Sequence, residues 1–441
     1  MTASRKVYLL LLLGIAIAPL LAAVWGVPVS IQGILLFDAF VLGLMLMDGL
    51  RVRYLQRATH SHCVQIARQV PPRLSIGRDN PIVLSVKSGN RPAQLQICDY
   101  YPAGFGVSTA ALSTFLPANS SQELTYTVHP TQRGEFQWGD IQVRQLGAWG
   151  LAWHDWKIPQ SQTVKVYPDL VGLRSLSIRL TLKSAGSIRI RQLGIGTEFA
   201  ELRDYGSGDD VRFIDWKATA RRSRPMVRVL EPEHEQTLII LLDRGRLMTA
   251  RVLGLKRFDW GLNATLSLAL AGLSRGDRVG VGVFDRQMHT WIRPERGQHQ
   301  LPGLIDRLTP IQPVLLESDY LGAVTSVVQQ QTRRSLVVLI TELVDTTASA
   351  ELLAALGRLT PRYLPFCVTL RDPQVDRQAH TVAQDISAAY PRAVALDLLT
   401  QRQVAFAQLK QKGVLVLDAP ANQITDQLVD RYLQLKARNQ L

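Results

Sequence analysis

The run Thr237–Asp243, TLIILLD, is apolar until it ends on a carboxylate. A strand with one wet face alternates apolar and polar residues. This one does not, so it reads as a strand buried on both faces. Ser335 to Ile340 repeats the pattern and is followed by Thr341 and Glu342. Arg278 to Phe284 ends at Asp285, Tyr363 to Leu370 is a further strand, and Val414 to Leu417 ends at Asp418. Leu255 to Leu273, Ala348 to Leu359, Ala395 to Lys410 and Gln423 to Lys436 read as helices between and after them. Buried strands alternating with helices predict a doubly wound α/β domain over residues 235–441, with a mostly parallel sheet. In such sheets ligands bind outside the carboxyl ends of the strands. Asp243, Asp285, Glu342 and Asp418 are therefore expected to share a rim.

Immediately upstream lies the most chemically mixed stretch of the chain, Gly194 to Arg228, GIGTEFAELRDYGSGDDVRFIDWKATARRSRPMVR. Its bases are Arg203, Arg212, Lys217, Arg221, Arg222, Arg224 and Arg228; its acids are Glu198, Glu201, Asp204, Asp209, Asp210 and Asp215. Seven against six is almost neutral, which argues against a phosphate-binding patch. It favours arginine forks on carboxylates that hold an irregular segment in one shape. Gly206 and Gly208 mark a turn. Tyr205, Phe213, Ile214 and Trp216 are expected to anchor the segment in a core, and the segment to pack beside the sheet. A surface loop of solvated ion pairs is the plainer alternative.

The run R-x-Y-x-x-G-D-x-x-R-x-I-D-W-x-x-x-A-R is met by Arg203, Tyr205, Gly208, Asp209, Arg212, Ile214, Asp215, Trp216, Ala220 and Arg221. It resembles the hallmark of the bacterial domain of unknown function fifty-eight family. The pieces Arg133-Gly134, Leu146 to Leu151 and Val166-Tyr167-Pro168 resemble that family more loosely, and Arg431-Tyr432-Leu433 with Lys436 resembles its closing helix. The strand and helix order of residues 235–441 is similar to that of von Willebrand factor type A domains. Those domains often hold magnesium through D-x-S-x-S, a distant Thr and a later Asp. Here Asp243 matches, but Gly245 and Leu247 stand where the serines would be, and Thr341 and Glu342 follow the later strand. Ser318 and Thr325 are stand-ins for the distant Thr. Asp243, Thr341 and Glu342 thus form a degenerate candidate metal site, and no metal or other cofactor is expected, with Mg²⁺ as the alternative. Asp243 is expected to pair with an arginine of the central motif or to cap the turn that follows it.

Farther out, Val7 to Val24 and Val27 to Leu50 are each near the ~20 apolar residues that span a bilayer. Arg5 and Lys6 precede them, Arg51, Arg53 and Arg57 follow, and the link carries no charge. The positive-inside rule puts both ends in the cytoplasm, so residues 1–58 read as a transmembrane helical hairpin of the inner membrane. Asp38 lies within the second span as a packing acid or a contact to another membrane helix; Asp48 lies near its end, where water is close. Residues 60–168 show short alternating strands, at Ile82 to Val86, Gln94 to Cys98, Leu124 to Val128, Ile141 to Val143 and Thr163 to Val166, and suggest a small β-sandwich. Trp138, Trp149, Trp153 and Trp156 read as core with one surface face. Residues 169–234 hold a basic bridge and the central motif. Arg174, Arg179, Lys183, Arg189 and Arg191 in that bridge suit either anionic lipid contact over 174–191 or a solvated linker.

The chain has 441 residues, a net charge of +14 and 46% hydrophobic residues. The charge suits nucleic acid, anionic lipid or an acidic protein partner, and the neutral central motif argues against specific nucleic acid. Cys63, Cys98 and Cys367 are too scattered for a disulfide framework or a zinc site. There is no GxSxG, HExxH or Walker A segment. With the apolar hairpin and no catalytic motif, the chain is expected to be a membrane-anchored adaptor, not an enzyme, and what the family resemblance implies is that it works with a MoxR-type AAA+ ATPase on a client complex. The alternative is a metal- or carboxylate-dependent hydrolase at the strand-end rim.

Overall fold

A computed structural model describes residues 2–25, 31–58, 64–186, 198–231, 236–343, 350–382 and 386–438. The chain divides into two compact units, Met1–Tyr167 and Pro168–Leu441.

The first unit opens with β1 (Thr2–Ala3), α1 (Arg5–Trp25) and α2 (Ile31–Ala58). The helices run antiparallel: Val7 clusters with Val41, while the ring of Phe37 lies against Gly14. Within α2, Gln32–Tyr54 is long and apolar enough to cross a membrane. Leu35, Leu36 and Phe40 are exposed on it, as on helices that meet lipid or a partner protein. Asp38 is half-buried, and its Oδ1 has no hydrogen-bond partner among the described residues.

The β-rich region follows: β2 (Gln65–Gln69), β3 (Leu74–Ser75), β4 (Asn80–Lys87), β5 (Ala93–Asp99), β6 (Phe105–Val107), β7 (Leu112–Leu116), β8 (Ser121–Pro130), β9 (Gly134–Trp138), β10 (Ile141–Leu146), β11 (Ala152–Ile158) and β12 (Gln162–Tyr167). They form sheets in the orders β1-β11-β10-β5-β7, β2-β4-β8-β6 and β3-β12-β9. Alternation decides which face is buried: Ile82, Leu84 and Val86 of β4 and Leu95 and Ile97 of β5 point inward. At the centre, Asp99 accepts from Arg68 (2.5 Å), Tyr126 (2.6 Å) and the fully buried Trp138 (3.1 Å). Trp149, by contrast, is exposed.

Asp48 is fully buried, which corrects the expectation that it meets water. Its carboxylate accepts from the backbone N–H groups of Trp149 (3.1 Å), Leu151 (3.0 Å) and Ala152 (3.3 Å). A Cβ at Gly147 would overlap that carboxylate. The glycine-rich run from Gly147 to Gly150 is therefore a clasp that holds the hairpin, and β1 completes it by pairing with β11. Sequence spacing could not show this, because the partners lie about a hundred residues apart.

The second unit contains α3 (Leu170–Gly186), β13 (Glu198–Asp204), α4 (Trp216–Arg222) and β14 (Met226–Glu231), then β15 (Thr237–Asp243), β16 (Arg251–Val252), β17 (Leu255–Lys256), α5 (Arg257–Ser274), β18 (Arg278–Phe284), β19 (Met288–Glu295), α6 (Gln300–Leu308) and α7 (Tyr320–Gln330). It closes with β20 (Leu336–Thr341), α8 (Ala350–Leu359), β21 (Leu364–Arg371), α9 (Pro373–His380), α10 (Ile386–Gln411), β22 (Leu415–Pro420) and α11 (Ile424–Ala437). The central sheet has the order β19-β18-β15-β20-β21-β22, parallel except for the antiparallel edge strand β19. Every residue of β15 and β20 is buried. Ile239, Leu241, Val337, Leu339 and Cys367 face α7, α8 and α10, while Leu238 and Leu242 face α5. Each fully buried Leu, Ile or Val contributes about 1.5–3 kcal/mol, so this layer dominates the unit's stability.

The linker alternative for the basic bridge is corrected over residues 170–186. They form a helix that packs on α5 and buries Leu173, Leu176 and Leu180. Arg179 pairs with Asp426 at 2.6 Å. Arg189 and Arg191 lie outside the described residues, as does the side chain of Lys183. The closing helix is latched: Tyr432 and Lys436 both bind the buried Asp277, just ahead of β18.

Candidate functional site

Two clusters carry the candidate residues. The first is the strand-end rim. β15 delivers Asp243, whose Oδ1 accepts from the Gly245 N–H (2.7 Å) and Ser318 (2.5 Å). Its Oδ2 accepts from Thr341 (2.6 Å) and Tyr320 (3.1 Å). Burial is the largest influence on this carboxyl and pushes it above its ordinary range, against the four hydrogen bonds. A Cβ at Gly245 would overlap the Ser318 hydroxyl, so the glycine makes room for it. Of the two expectations for Asp243, the turn cap is present, and no arginine of the central motif binds it among the described residues. Thr325 instead donates to Leu321 within α7.

Asp285 pairs with Arg244 at 2.7 Å. Glu342 is buried between Arg402, which binds its Oε1, and Arg257, 3.1 Å from its Oε2. Arg402 also donates to Asp418 at 2.7 Å. Burial pushes the Glu342 carboxyl up, and the Arg402 and Arg257 charges pull it back. The rim thus brings together Asp243 with Thr341 and Glu342 with Asp418. Tyr320, Arg257 and Arg402 escape sequence reading: no local motif marks a residue whose partner lies 60 to 85 positions away.

The second cluster is the central motif. β13 and β14 pair antiparallel in a sheet of their own, and the motif forms the excursion between them. Gly208 takes φ +114°, a conformation that favours glycine. Asp209 accepts from the Gly206 N–H (2.8 Å) and pairs with Arg203 at 2.5 Å. Both contacts hold its carboxyl below the ordinary range, the Gly206 bond most. Asp210 is lowered by the Arg212 fork, with contacts at 2.6 and 2.9 Å. Asp215 caps α4 through the Ala218 N–H (2.9 Å), which lowers it, and lies 3.4 Å from Arg228. Tyr205 donates to the Asp209 carbonyl at 3.2 Å.

The core-anchor expectation holds for Ile214, is half met by Phe213, which is half-buried, and fails for Tyr205 and Trp216. Ile214 is buried, but Trp216 is 69% exposed and Tyr205 38%. α4 has only seven residues and buries none of them. Arg221, Arg222 and Arg224 are exposed, and none makes a hydrogen bond or ion pair among the described residues. The motif therefore exposes aromatic, apolar and basic side chains: Tyr205, Val211, Trp216 and the three arginines.

Comparison with known proteins places this chain among uncharacterized relatives. The model of the family described as protein of unknown function DUF58 matches residues 201–378. An uncharacterized protein of Mycobacterium tuberculosis is 24% identical over 234 residues, 51% of this chain and 73% of that protein. The uncharacterized protein YeaD of Bacillus subtilis is 25% identical over 184 residues, 41% of this chain and 43% of that protein. Among solved structures, the conserved hypothetical protein BatB from Bacteroides thetaiotaomicron is 13% identical over 46% of this chain and 99% of that one, with a TM-score of 0.32. An aerotolerance-related membrane protein from Bacteroides fragilis is 13% identical over 44% and 99%, with a TM-score of 0.30.

Proposed function

Residues 201–378 belong to the DUF58 family, and from that premise we propose that the chain is a membrane-anchored adaptor for a MoxR-type AAA+ ATPase acting on a client complex. The hairpin anchors it in the inner membrane, and both soluble regions lie in the cytoplasm. The observation that carries this reading is the set of side chains that the family motif exposes. Trp216 is 69% exposed, and Arg221, Arg222 and Arg224, at the end of the same short helix and just past it, are exposed and pair with no described residue. Trp and Arg are the residue types that dominate interface hot spots, and exposed arginines suit an acidic surface on the ATPase. The sheet order, with one antiparallel edge, supports a von Willebrand type A-like reading of residues 235–441. The alternating burial of β4 and β5 supports a sandwich for residues 60–168.

The rim residues do not fit magnesium. Both oxygens of Asp243 already take two protein donors each, Gly245 and Leu247 offer no side-chain oxygen, and Arg244 and Arg246 add positive charge. A hydrolase there would need a carboxylate with a free face, and the arginines occupy that of Glu342.

The test is a crosslinked pull-down of the full chain from native membranes, with and without ATP. Nucleotide-dependent recovery of an AAA+ ATPase, lost in Trp216→Ala and Arg221→Ala, is the expected result. Recovery of no ATPase, or recovery unchanged in both variants, sinks the reading. A reporter fused after Leu441 should be active in the cytoplasm only.

A further inference from the structure

We propose that the first unit binds the phosphate headgroup of one anionic phospholipid in a basic cavity where the helical hairpin meets the β-rich region. The proposal rests on the membrane reading above and adds a ligand to it. The cavity has a volume of about 340 Å³ and is lined by Lys6, Arg51 and Arg91. They come from three separated parts of the chain: the start of α1, the end of α2 and the turn before β5. No aspartate or glutamate lines it. The lysine and both arginines are exposed and make no ion pair among the described residues. The nearby carboxylate, Asp48, is taken up by the backbone amides of Trp149, Leu151 and Ala152. Three cations are thus gathered in one half-open space with no counter-charge on its walls.

Position and lining select the ligand. Arg51 lies within the last turn of the membrane-length stretch Gln32–Tyr54, so the cations sit at headgroup depth when that helix is inserted. Phe115 and Trp149 also line the cavity and are 64% and 45% exposed. Exposed aromatic rings at that depth suit the glycerol and upper acyl region of a lipid, whereas a free phosphate would have no use for them. Gly150, at φ +73°, lets the Lys6 ammonium lie against the loop, since a Cβ there would come within 3.1 Å of Nζ. The Trp149 and Leu151 amides are spent on Asp48, the Gly150 amide on the Gly147 carbonyl and the Gly147 amide on the Ala152 carbonyl, so recognition rests chiefly on the side-chain cations.

The test uses the full chain, reconstituted with phosphatidylcholine alone or with phosphatidylglycerol added, and read by native mass spectrometry for retained lipid. One phosphatidylglycerol per chain is expected. Arg91→Gln should weaken it about fivefold, and the triple change Lys6→Gln, Arg51→Gln and Arg91→Gln about a hundredfold, at about one basic-residue contribution each. Arg53→Gln, outside the cavity, should leave it unchanged. Arg91 is exposed at a turn, so its variant keeps the test open should the triple variant unfold. Equal retention by the parent and Arg91→Gln, or equal retention of phosphatidylcholine, overturns the site. So does inorganic phosphate that displaces the lipid at matched concentration, since the ligand would then be the free anion. A carbonate wash separates the two readings: a chain released from membranes defeats the hairpin and this site together, and a chain that stays but shows no lipid preference defeats this site alone.

Discussion

Asp243 is a buried carboxylate with four protein donors and no solvent. Replacing it with alanine strands the Gly245 amide and removes the acceptor of the Ser318, Tyr320 and Thr341 hydroxyls, the last two of which keep only each other. We expect Asp243→Ala to cost on the order of 3 kcal/mol, read by urea unfolding, and an unchanged midpoint would refute the structural role. Trp216→Ala should leave the stability within about 0.5 kcal/mol, because that ring is largely exposed. The sequence marked both residues but not their surroundings. An aromatic ring inside a charged run reads as an anchor, whereas α4 buries none of its seven residues and Trp216 stays exposed. Asp243 announces itself at the end of an apolar strand, while Ser318, Tyr320 and Thr341 reach it from 75 to 98 positions away.

At the scale of elements, the motif's acids set a pH dependence. Asp209, Asp210 and Asp215 all have carboxyls held below their ordinary values in the folded chain. Their contribution is therefore present above the unfolded values, near pH 4, and is lost as pH falls through the lower folded values. Hydrogen-exchange protection at the Gly206 and Ala218 amides should hold at neutral pH and fall away in acid; protection that rises on acidification would contradict the sign. The hairpin clasp makes a second prediction. Gly147→Ala drives a Cβ into the Asp48 carboxylate and should expose the run from Gly147 to Ala152 to protease, whereas Gly43→Ala, with open space around it, should not. Periodicity found the buried strands and the long helices because they are long. It missed β19, α3, α6, α7 and α9. Those elements are short or weakly patterned, and packing against their neighbours selects them.

At the scale of the whole molecule, the second unit draws its main core from its own strands and helices. A fragment beginning at Pro168 should unfold cooperatively, and Arg402→Ala within it should cost about 3–5 kcal/mol by leaving Glu342 with a single arginine. A broad, non-cooperative melt of the parent fragment would mean that the unit does not stand alone. The sequence alone determined the apolar span, the strand-rich region, the α/β region and the family segment. Each is written in local runs of hydrophobicity or in a contiguous motif, and local runs set strand and helix before any distant contact forms. Only the tertiary structure decided that Asp48 clasps a glycine loop, that four donors saturate Asp243, that Trp216 faces outward, and that Lys6, Arg51 and Arg91 meet. Those outcomes depend on which distant residues share a space, and burial and charge pairing are settled there, not along the chain.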